Sequence, residues 1–81
     1  MVTTDGLLNA RSLTRLGAAV RRLRLERGFS QAGLAEAAGV SRQWIINLER
    51  GRTEGLEIGR LMKVLDELDA SLAVRDHQGG Y

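Results

Sequence analysis

The side chains best suited to molecular recognition in this chain of 81 residues lie in the run RQWIINLER. In a helix, where successive residues are about 100° apart, one face of this run carries amide, guanidinium and aliphatic groups. Gln43, Asn47 and Arg50 lie near the centre of that face, with Arg42 and Ile46 at its edges. An amide can bond bidentately to adenine, a guanidinium to guanine, and an aliphatic group can touch the methyl of thymine. The pattern therefore favours recognition of base edges in the DNA major groove.

Two short helices joined by a tight turn must hold that face in place. Ser30 and Ser41 are suited to N-cap the two helices, because a serine hydroxyl accepts a hydrogen bond from a free N–H in the first turn. Gly39 stands where the first helix needs a residue that tolerates positive φ. Apolar residues at helical spacing form the inward faces of the pair: Leu34, Ala35, Ala38, Ile45 and Leu48. Small residues at the crossing allow the close, steep contact of a helix-turn-helix.

These residues resemble a known family. The run LGAAVRRLRLERGFSQAGLAEAAGVSRQWIINLERGR resembles the Xre/Cro-type helix-turn-helix domain of lambdoid phage repressors and many bacterial regulators. The continuation through a fourth helix into SLAVRD is similar to the HipB-like antitoxins of that family, and the resemblance covers about residues 12–76. It implies an all-α, lambda-repressor-like domain of four to five helices that binds double-stranded DNA.

The resemblance also suggests roles for individual residues. We expect base contacts from Arg42, Gln43 and Asn47, which match base-reading positions of the family. Ile46 departs from the family, where many members have a small polar residue, and is expected to touch a thymine methyl. We expect contacts to the DNA backbone from Gln31, Ser41, Trp44, Arg50 and Arg52. Two alternatives stay open, because Gln31 can be an ordinary solvated glutamine and Trp44 can pack on Leu48 instead.

Arg24 and Glu49 are expected to hold the fold together. Family members place an arginine at the position of Arg24 that pairs with a glutamate matching Glu49. A buried charge needs a partner, so this reading is favoured over direct contact of either residue with DNA.

Helices on either side complete the predicted core. After an N-cap at Ser12, apolar residues recur at helical spacing in a helix that ends at Gly28: Leu13, Leu16, Val20 and Leu23. A second stripe begins at Ile58 and comprises Ile58, Leu61, Met62, Val64, Leu65 and Leu68. We expect this second stripe to be wider than one small core needs.

The apolar period changes after that helix. Ala70, Leu72 and Val74 alternate with more polar or smaller residues, which is the spacing of a β-strand. A single strand cannot satisfy its own backbone groups, so we expect antiparallel pairing with a second copy of the chain about a two-fold axis. The resemblance to HipB-like antitoxins implies the same arrangement. The expected interface residues are Leu65, Leu68, Leu72 and Val74. A frayed C-terminal tail is the alternative.

The chain is therefore divided into four parts. Residues 1–11 lack periodicity and are interpreted as a loose arm, and residues 12–69 as the helix-turn-helix domain. Residues 70–76 are interpreted as a dimerisation strand, and residues 77–81 as a disordered tail.

Charge is distributed unevenly along the chain although the net charge is only +2. Residues 1–53 contain nine arginines and four acidic residues, whereas residues 54–81 contain three basic and six acidic residues. A basic half that carries the candidate reading helix indicates a DNA-binding face, and the acidic half indicates a separate face. For the arginines of the first helix alone, the favoured interpretation is ordinary solvated surface charge.

Composition disfavours several other classes of protein. Because the chain has no cysteine and one histidine, we expect no disulfide framework, no metal site and no cofactor. We expect a cytoplasmic protein without a membrane partner, since the sequence shows neither a secretory signal pattern nor a long apolar stretch. No nucleophile and base can be paired, so an enzyme is not expected.

Two interpretations of function remain. The first is a homodimeric, sequence-specific transcriptional regulator, a repressor that binds a palindromic operator. The second is an antitoxin of a HipBA-like toxin–antitoxin pair, which holds a kinase-like toxin and represses its own operon. The two interpretations are compatible, and the presence of a toxin protein bound to the chain would distinguish them.

Overall fold

The structure, a computed structural model, describes residues 10–52 and 55–78. It contains four α-helices, namely α1 (Leu13–Glu26), α2 (Gln31–Ala38), α3 (Arg42–Glu49) and α4 (Ile58–Glu67). The predicted all-α fold is confirmed, with four helices in the described ranges. Most of the predicted N-terminal arm (residues 1–9) and the end of the predicted tail (79–81) lie outside the described residues.

Serine N-caps begin the first three helices, as predicted. The hydroxyls of Ser12, Ser30 and Ser41 each accept a hydrogen bond from the backbone N–H three residues ahead, at 3.1, 2.9 and 3.0 Å. Each such cap contributes about 1 kcal/mol to stability. Gly39 ends α2 with φ +72°, the left-handed conformation predicted for it. Local sequence thus sets both the starts of the helices and the turn between α2 and α3.

The helix-turn-helix pair α2 and α3 lies at the centre of one core. Its predicted inner faces are confirmed, because all five of their apolar residues are buried: Leu34, Ala35, Ala38, Ile45 and Leu48. Buried residues of α1 and α4 complete the core: Val20, Leu61, Val64, Leu65 and Leu68. Each fully buried leucine or isoleucine contributes about 1.5–3 kcal/mol. Burial of its inner face in this core therefore fixes the position of α3.

α1 crosses the C-terminal end of α3 at a glycine. A methyl group at Gly17 would lie 2.7 Å from the carbonyl oxygen of Glu49 and closer still to that of Leu48. At Gly51, which has φ +69°, a methyl group would lie 2.9 Å from Cα of Thr14. Side-chain carbons do not approach backbone atoms this closely, so both contacts require glycine. Together they fix the end of α3 against α1.

α4 uses only part of its apolar stripe for the core. Leu61, Val64 and Leu68 are buried, whereas Ile58 and Met62 are about half exposed. The prediction that this stripe is wider than the core needs is confirmed. The described helices include none with the length and apolar character needed to cross a bilayer.

After α4 the backbone of Asp69 adopts the left-handed conformation, with φ +54°. The N–H of the next residue donates to the carbonyl of Leu65 at 2.8 Å, and Nε of Arg27 donates to the carbonyl of Leu68 at 3.0 Å. These bonds satisfy carbonyl groups at the helix end. Residues 70–73 then line a groove beside α1 and α4.

The C-terminal end differs from the sequence prediction in two respects. Residues 70–76 form no strand within the described part of the single chain, because a β-strand needs a neighbouring edge and this chain supplies none. Leu65 and Leu68, expected at a dimer interface, are 5% and 0% exposed and belong to the core of the single chain. Leu72 and Val74, in contrast, are 43% and 96% exposed.

Replacing Gly17 by alanine is expected to lower the free energy of unfolding by about 1–3 kcal/mol, because the added methyl overlaps the backbone of α3. The matched control is Gly59→Ala in α4, where nothing lies within 4 Å of the added methyl. There the helix should gain up to about 1 kcal/mol. Chemical denaturation followed by circular dichroism measures both variants. If both variants changed the free energy of unfolding in the same direction, the close approach of α1 to α3 would be contradicted.

Candidate nucleic-acid interface

A buried ion pair joins α1 to the end of α3. Nε of Arg24 donates to Oε2 of Glu49 at 2.6 Å, and Nη2 donates to Oε1 at 3.0 Å. The two side chains are only 8% and 3% exposed. The third guanidinium nitrogen, Nη1, donates to the carbonyl of Phe29 at 3.0 Å. The ion pair that the resemblance implied is present. Its hydrogen bonds compensate the guanidinium of Arg24 for the loss of its contacts with water on burial.

The first residue of α2 is attached to the same ion pair. Nε2 of Gln31 donates to Oε1 of Glu49 at 3.2 Å. Glu49, the last residue of α3, thus accepts hydrogen bonds from both α1 and α2. Gln31 is half-buried, and its Nε2 keeps a second N–H. The bond to Glu49 is therefore compatible with the phosphate contact expected of Gln31.

The outer face of α3 presents the predicted base-reading groups. Arg42 and Gln43 are exposed, while Ile46 and Asn47 are half-buried. Nε2 of Gln43 donates to Oδ1 of Asn47, one helical turn further along, at 3.0 Å. An α-helix with its side chains has a diameter of about 10–12 Å, which fits the width of the major groove. This face therefore has the dimensions and the hydrogen-bonding groups for base recognition.

The turn after α3 brings two arginines to the C-terminal end of this face. The N–H of Gly51 donates to the carbonyl of Leu48 at 3.0 Å, and the N–H of Arg52 donates to the carbonyl of Asn47 at 2.9 Å. This pair of bonds closes a helix around a glycine with positive φ. Arg50 and Arg52 are exposed on either side of that glycine.

Ser41 and Trp44 have structural roles at the start of α3. The hydroxyl of Ser41 accepts the N–H of Trp44 at 3.0 Å and keeps its own O–H as a donor. The indole of Trp44 is half-buried and packs against the hydrophobic core. Packing, one of the two alternatives that the sequence left open for Trp44, is therefore present in the structure.

The outer face of α3 carries no carboxylate. The one acidic residue of α3 is Glu49, and its carboxylate is buried in the ion pair. Arg42, Arg50 and Arg52 have no ion-pair partner among residues 10–52 and 55–78. Exposed arginines beside neutral amides attract a polyanion such as DNA. In the same ranges, no cluster of three side chains could hold a metal ion.

A family model described as a helix-turn-helix domain matches residues 15–78 of the chain. The chain belongs to this helix-turn-helix family. The matched range contains the buried ion pair, the whole of α3 and the two arginines that follow it. The resemblance to the Xre/Cro type, inferred from the sequence, is confirmed.

Known members with similar sequences are transcriptional regulators. An uncharacterised helix-turn-helix-type transcriptional regulator of Sinorhizobium fredii, y4mF, is 37% identical over 59 residues, which are 73% of this chain and 76% of the relative. SinR, a master regulator for biofilm formation solved in complex with DNA, is 36% identical. The match covers 69% of this chain and 89% of SinR, with a TM-score of 0.64. The family places this chain among helix-turn-helix transcriptional regulators.

The HipB-like resemblance has a structural counterpart. A chain of the HipA–HipB–O2–O3 complex is 26% identical, with a TM-score of 0.74. The match covers 85% of this helix-turn-helix chain and 96% of that chain, so it extends further along the sequence than the match to SinR.

Three features of this helix-turn-helix were not foreseen from the sequence. They are the glycine contact of Gly17 with α3, the bond from Gln31 to Glu49, and the bond from Gln43 to Asn47. The bond from Gln43 to Asn47 could have been predicted from the sequence, because polar side chains four residues apart meet on the surface of a helix. The other two join residues far apart in the sequence, and no local pattern marks them.

Replacing Arg24 by methionine is expected to destabilise the domain by about 3–5 kcal/mol, because the carboxylate of Glu49 is left buried without its cation. Adding Glu49→Met to the same chain removes that charge and should recover most of the loss. Urea denaturation followed by circular dichroism measures both, and the double variant stays informative if the single variant fails to fold.

The matched control for Arg24→Met is Arg22→Met, which breaks an ion pair with Glu26 whose side chains are 65% and 47% exposed. That loss should not exceed about 0.5 kcal/mol. A loss from Arg24→Met as small as this would contradict a structural role for the buried pair.

Proposed function

We propose that this regulator binds double-stranded DNA in a sequence-specific manner by inserting the outer face of α3 into the major groove. The observation that carries the proposal is the composition of that face, on which neutral amides lie between exposed arginines and the one acidic residue of α3 is withdrawn into the core. The complex of the relative SinR with DNA supports it.

Each group on this face has a distinct task in the proposal. Base edges are contacted by four residues: Arg42, Gln43, Ile46 and Asn47. The DNA backbone is contacted by Gln31, Ser41, Arg50 and Arg52, which position the helix without reading sequence. We assign Trp44 to support of α3 from the core rather than to the DNA backbone, since its indole packs inward.

Two copies of the chain would pair through the C-terminal segment. Leu72, Val74 and Met62 expose apolar surface, and the first and third of these line one groove with the end of α4. The N–H groups of residues 71–75 donate no hydrogen bond to any described residue. A second copy of the same segment about a two-fold axis would cover the apolar surface and supply acceptors for those N–H groups.

A two-fold dimer would present two copies of α3 to DNA. If these lie about 34 Å apart, they enter successive major grooves on one side of the duplex, and the preferred site is a palindrome. Occupancy of a site that overlaps a promoter would repress transcription. Repression is therefore the mode of regulation that we propose.

The antitoxin interpretation remains a second candidate. It is supported by the match to a chain of the HipA–HipB–O2–O3 complex over 85% of this sequence. An antitoxin of this kind would hold a toxin protein and would use DNA binding for control of its own operon. Purification of the tagged chain from its native host, followed by mass spectrometry, tests this candidate. Recovery of a stoichiometric kinase-like protein supports it, and recovery of the chain alone at native expression levels counts against it.

Selection of bound sequences from random duplex DNA, at two salt concentrations, tests the proposed function. We expect a palindrome whose half-sites are about one helical turn apart. Weak, salt-sensitive binding without an enriched sequence would show that the chain is not a sequence-specific reader.

Substitutions on the selected site separate the two kinds of contact. Gln43→Ala should weaken binding to the selected site by about 1–3 kcal/mol and leave binding to random DNA unchanged, because it removes a base contact. Arg52→Ala should weaken both and lower the salt dependence by about one unit, because it removes a phosphate contact. Fluorescence anisotropy over a salt series measures both variants. Identical signatures for the two variants would contradict the division of tasks.

Leu72→Asp is expected to convert the dimer to a monomer, because it places a charge on the apolar surface that two copies would share. Operator affinity should fall by about 10²–10⁴-fold with the loss of the second half-site contact. The matched control is Leu25→Asp, which alters a leucine on α1 that is 52% exposed, against 43% for Leu72. Sedimentation equilibrium measures the mass, and two variants that both remain dimeric would contradict the proposed surface.

A further inference from the structure

We infer that Gln43 and Asn47 read DNA as one coupled unit, in which Asn47 orients the amide of Gln43 towards an adenine and turns its own N–H donors towards a neighbouring base pair. The inference rests on the proposed function, and it names which bases the outer face of α3 prefers. It starts from the hydrogen bond of 3.0 Å between Nε2 of Gln43 and Oδ1 of Asn47.

Asn47 is the shorter and less exposed member of the pair. It is half-buried near the end of α3, and its backbone carbonyl accepts the N–H of Arg52 at 2.9 Å in the turn that closes the helix. Gln43 is exposed, and its side chain makes no other hydrogen bond to a described residue. The bond therefore restrains Gln43, whose long side chain is otherwise free to rotate, at the position that Asn47 sets.

The groups left free by this bond define what each residue can bind. A glutamine amide has one oxygen and two N–H groups. Because one N–H of Gln43 is used by Asn47, an oxygen and one N–H remain, and these match the N6 donor and N7 acceptor of adenine. Oδ1 of Asn47 is used by Gln43, and its two N–H donors make no hydrogen bond to a described residue. These suit acceptors, namely O6 and N7 of guanine or O4 of thymine.

A coupled Gln43–Asn47 pair predicts a result that two independently acting residues do not. If Asn47 restrains Gln43 before DNA arrives, the amide of Gln43 loses less freedom on binding. Removing the restraint should weaken the preference for adenine at the base pair that Gln43 contacts. We expect a loss of about 2- to 10-fold, which corresponds to the cost of ordering one long side chain. Asn47→Ala should therefore change the preference at two base pairs, its own and that of Gln43.

The experiment measures base preference at each position of the selected DNA site with the full chain. The variants are Asn47→Ala, Gln43→Ala, the double variant, and Asn47→Asp. Asparagine and aspartate are similar in size, and aspartate keeps an oxygen that can accept from Gln43. Asn47→Asp should therefore restore the adenine preference at the position of Gln43, while its own base pair shifts towards cytosine, whose N4 donates. Circular dichroism checks that each variant folds, and affinity for random DNA is the reference for changes unrelated to sequence.

The outcomes separate this inference from the proposed function. Loss of adenine preference at the base pair of Gln43 in Asn47→Ala, its return in Asn47→Asp, and a loss of affinity in the double variant smaller than the two single losses combined support the coupled unit. If the unaltered chain selects a site but Asn47→Ala changes one base pair alone, the coupling is overturned and the proposed function stands. A guanine in place of adenine under Gln43 overturns the orientation of the bond. No selected site for the unaltered chain overturns the proposed function as well.

Discussion

The buried ion pair between Arg24 and Glu49 is the interaction on which the rest of this structure depends. Glu49 ends α3, and its carboxylate accepts hydrogen bonds from the guanidinium of Arg24 in α1 and from the amide of Gln31 in α2. Three helices therefore meet at one carboxylate. A carboxylate out of water is costly unless a cation and hydrogen bonds compensate it, so the arrangement tolerates little displacement of any one helix. The contact at Gly17 brings α1 close enough to α3 for the pair to form.

The same ion pair also shapes the electrostatics of the outer face of α3. Glu49 is the one acidic residue of that helix, and its burial beside Arg24 removes both its charge and its hydrogen-bonding capacity from the surface. Exposed arginines and amides are left, including Arg42 and the Gln43–Asn47 pair. The acidic residues of the second half of the sequence belong to α4 and its flanking segments. Stability and the proposed DNA recognition thus depend on the same residue.

The sequence predicted those parts of the fold that depend on local pattern. Serine caps, the left-handed Gly39 and the buried faces of α2 and α3 follow from residue type and a period of 3.6 residues. The Arg24–Glu49 pair came from the family pattern rather than from spacing. The contact of Gly17 with α3 could not be predicted, because glycine in a helix has no pattern that reveals what passes beside it. Leu65 and Leu68, which the sequence assigned to a dimer interface, are buried in the core of the single chain, since periodicity gives the apolar face of a helix but not which part of that face the core fills.

The proposed function requires that the outer face of α3 and the arginines that follow it contact DNA. Titration of the ¹⁵N-labelled chain with the duplex it prefers, followed by nuclear magnetic resonance, tests this most directly. We expect the largest shifts at the start of α2, at residues 41–47 and at residues 50–52, with the side-chain amides of Gln43 and Asn47 moving together. Shifts concentrated in α4 and residues 70–76, with α3 unchanged, would contradict it.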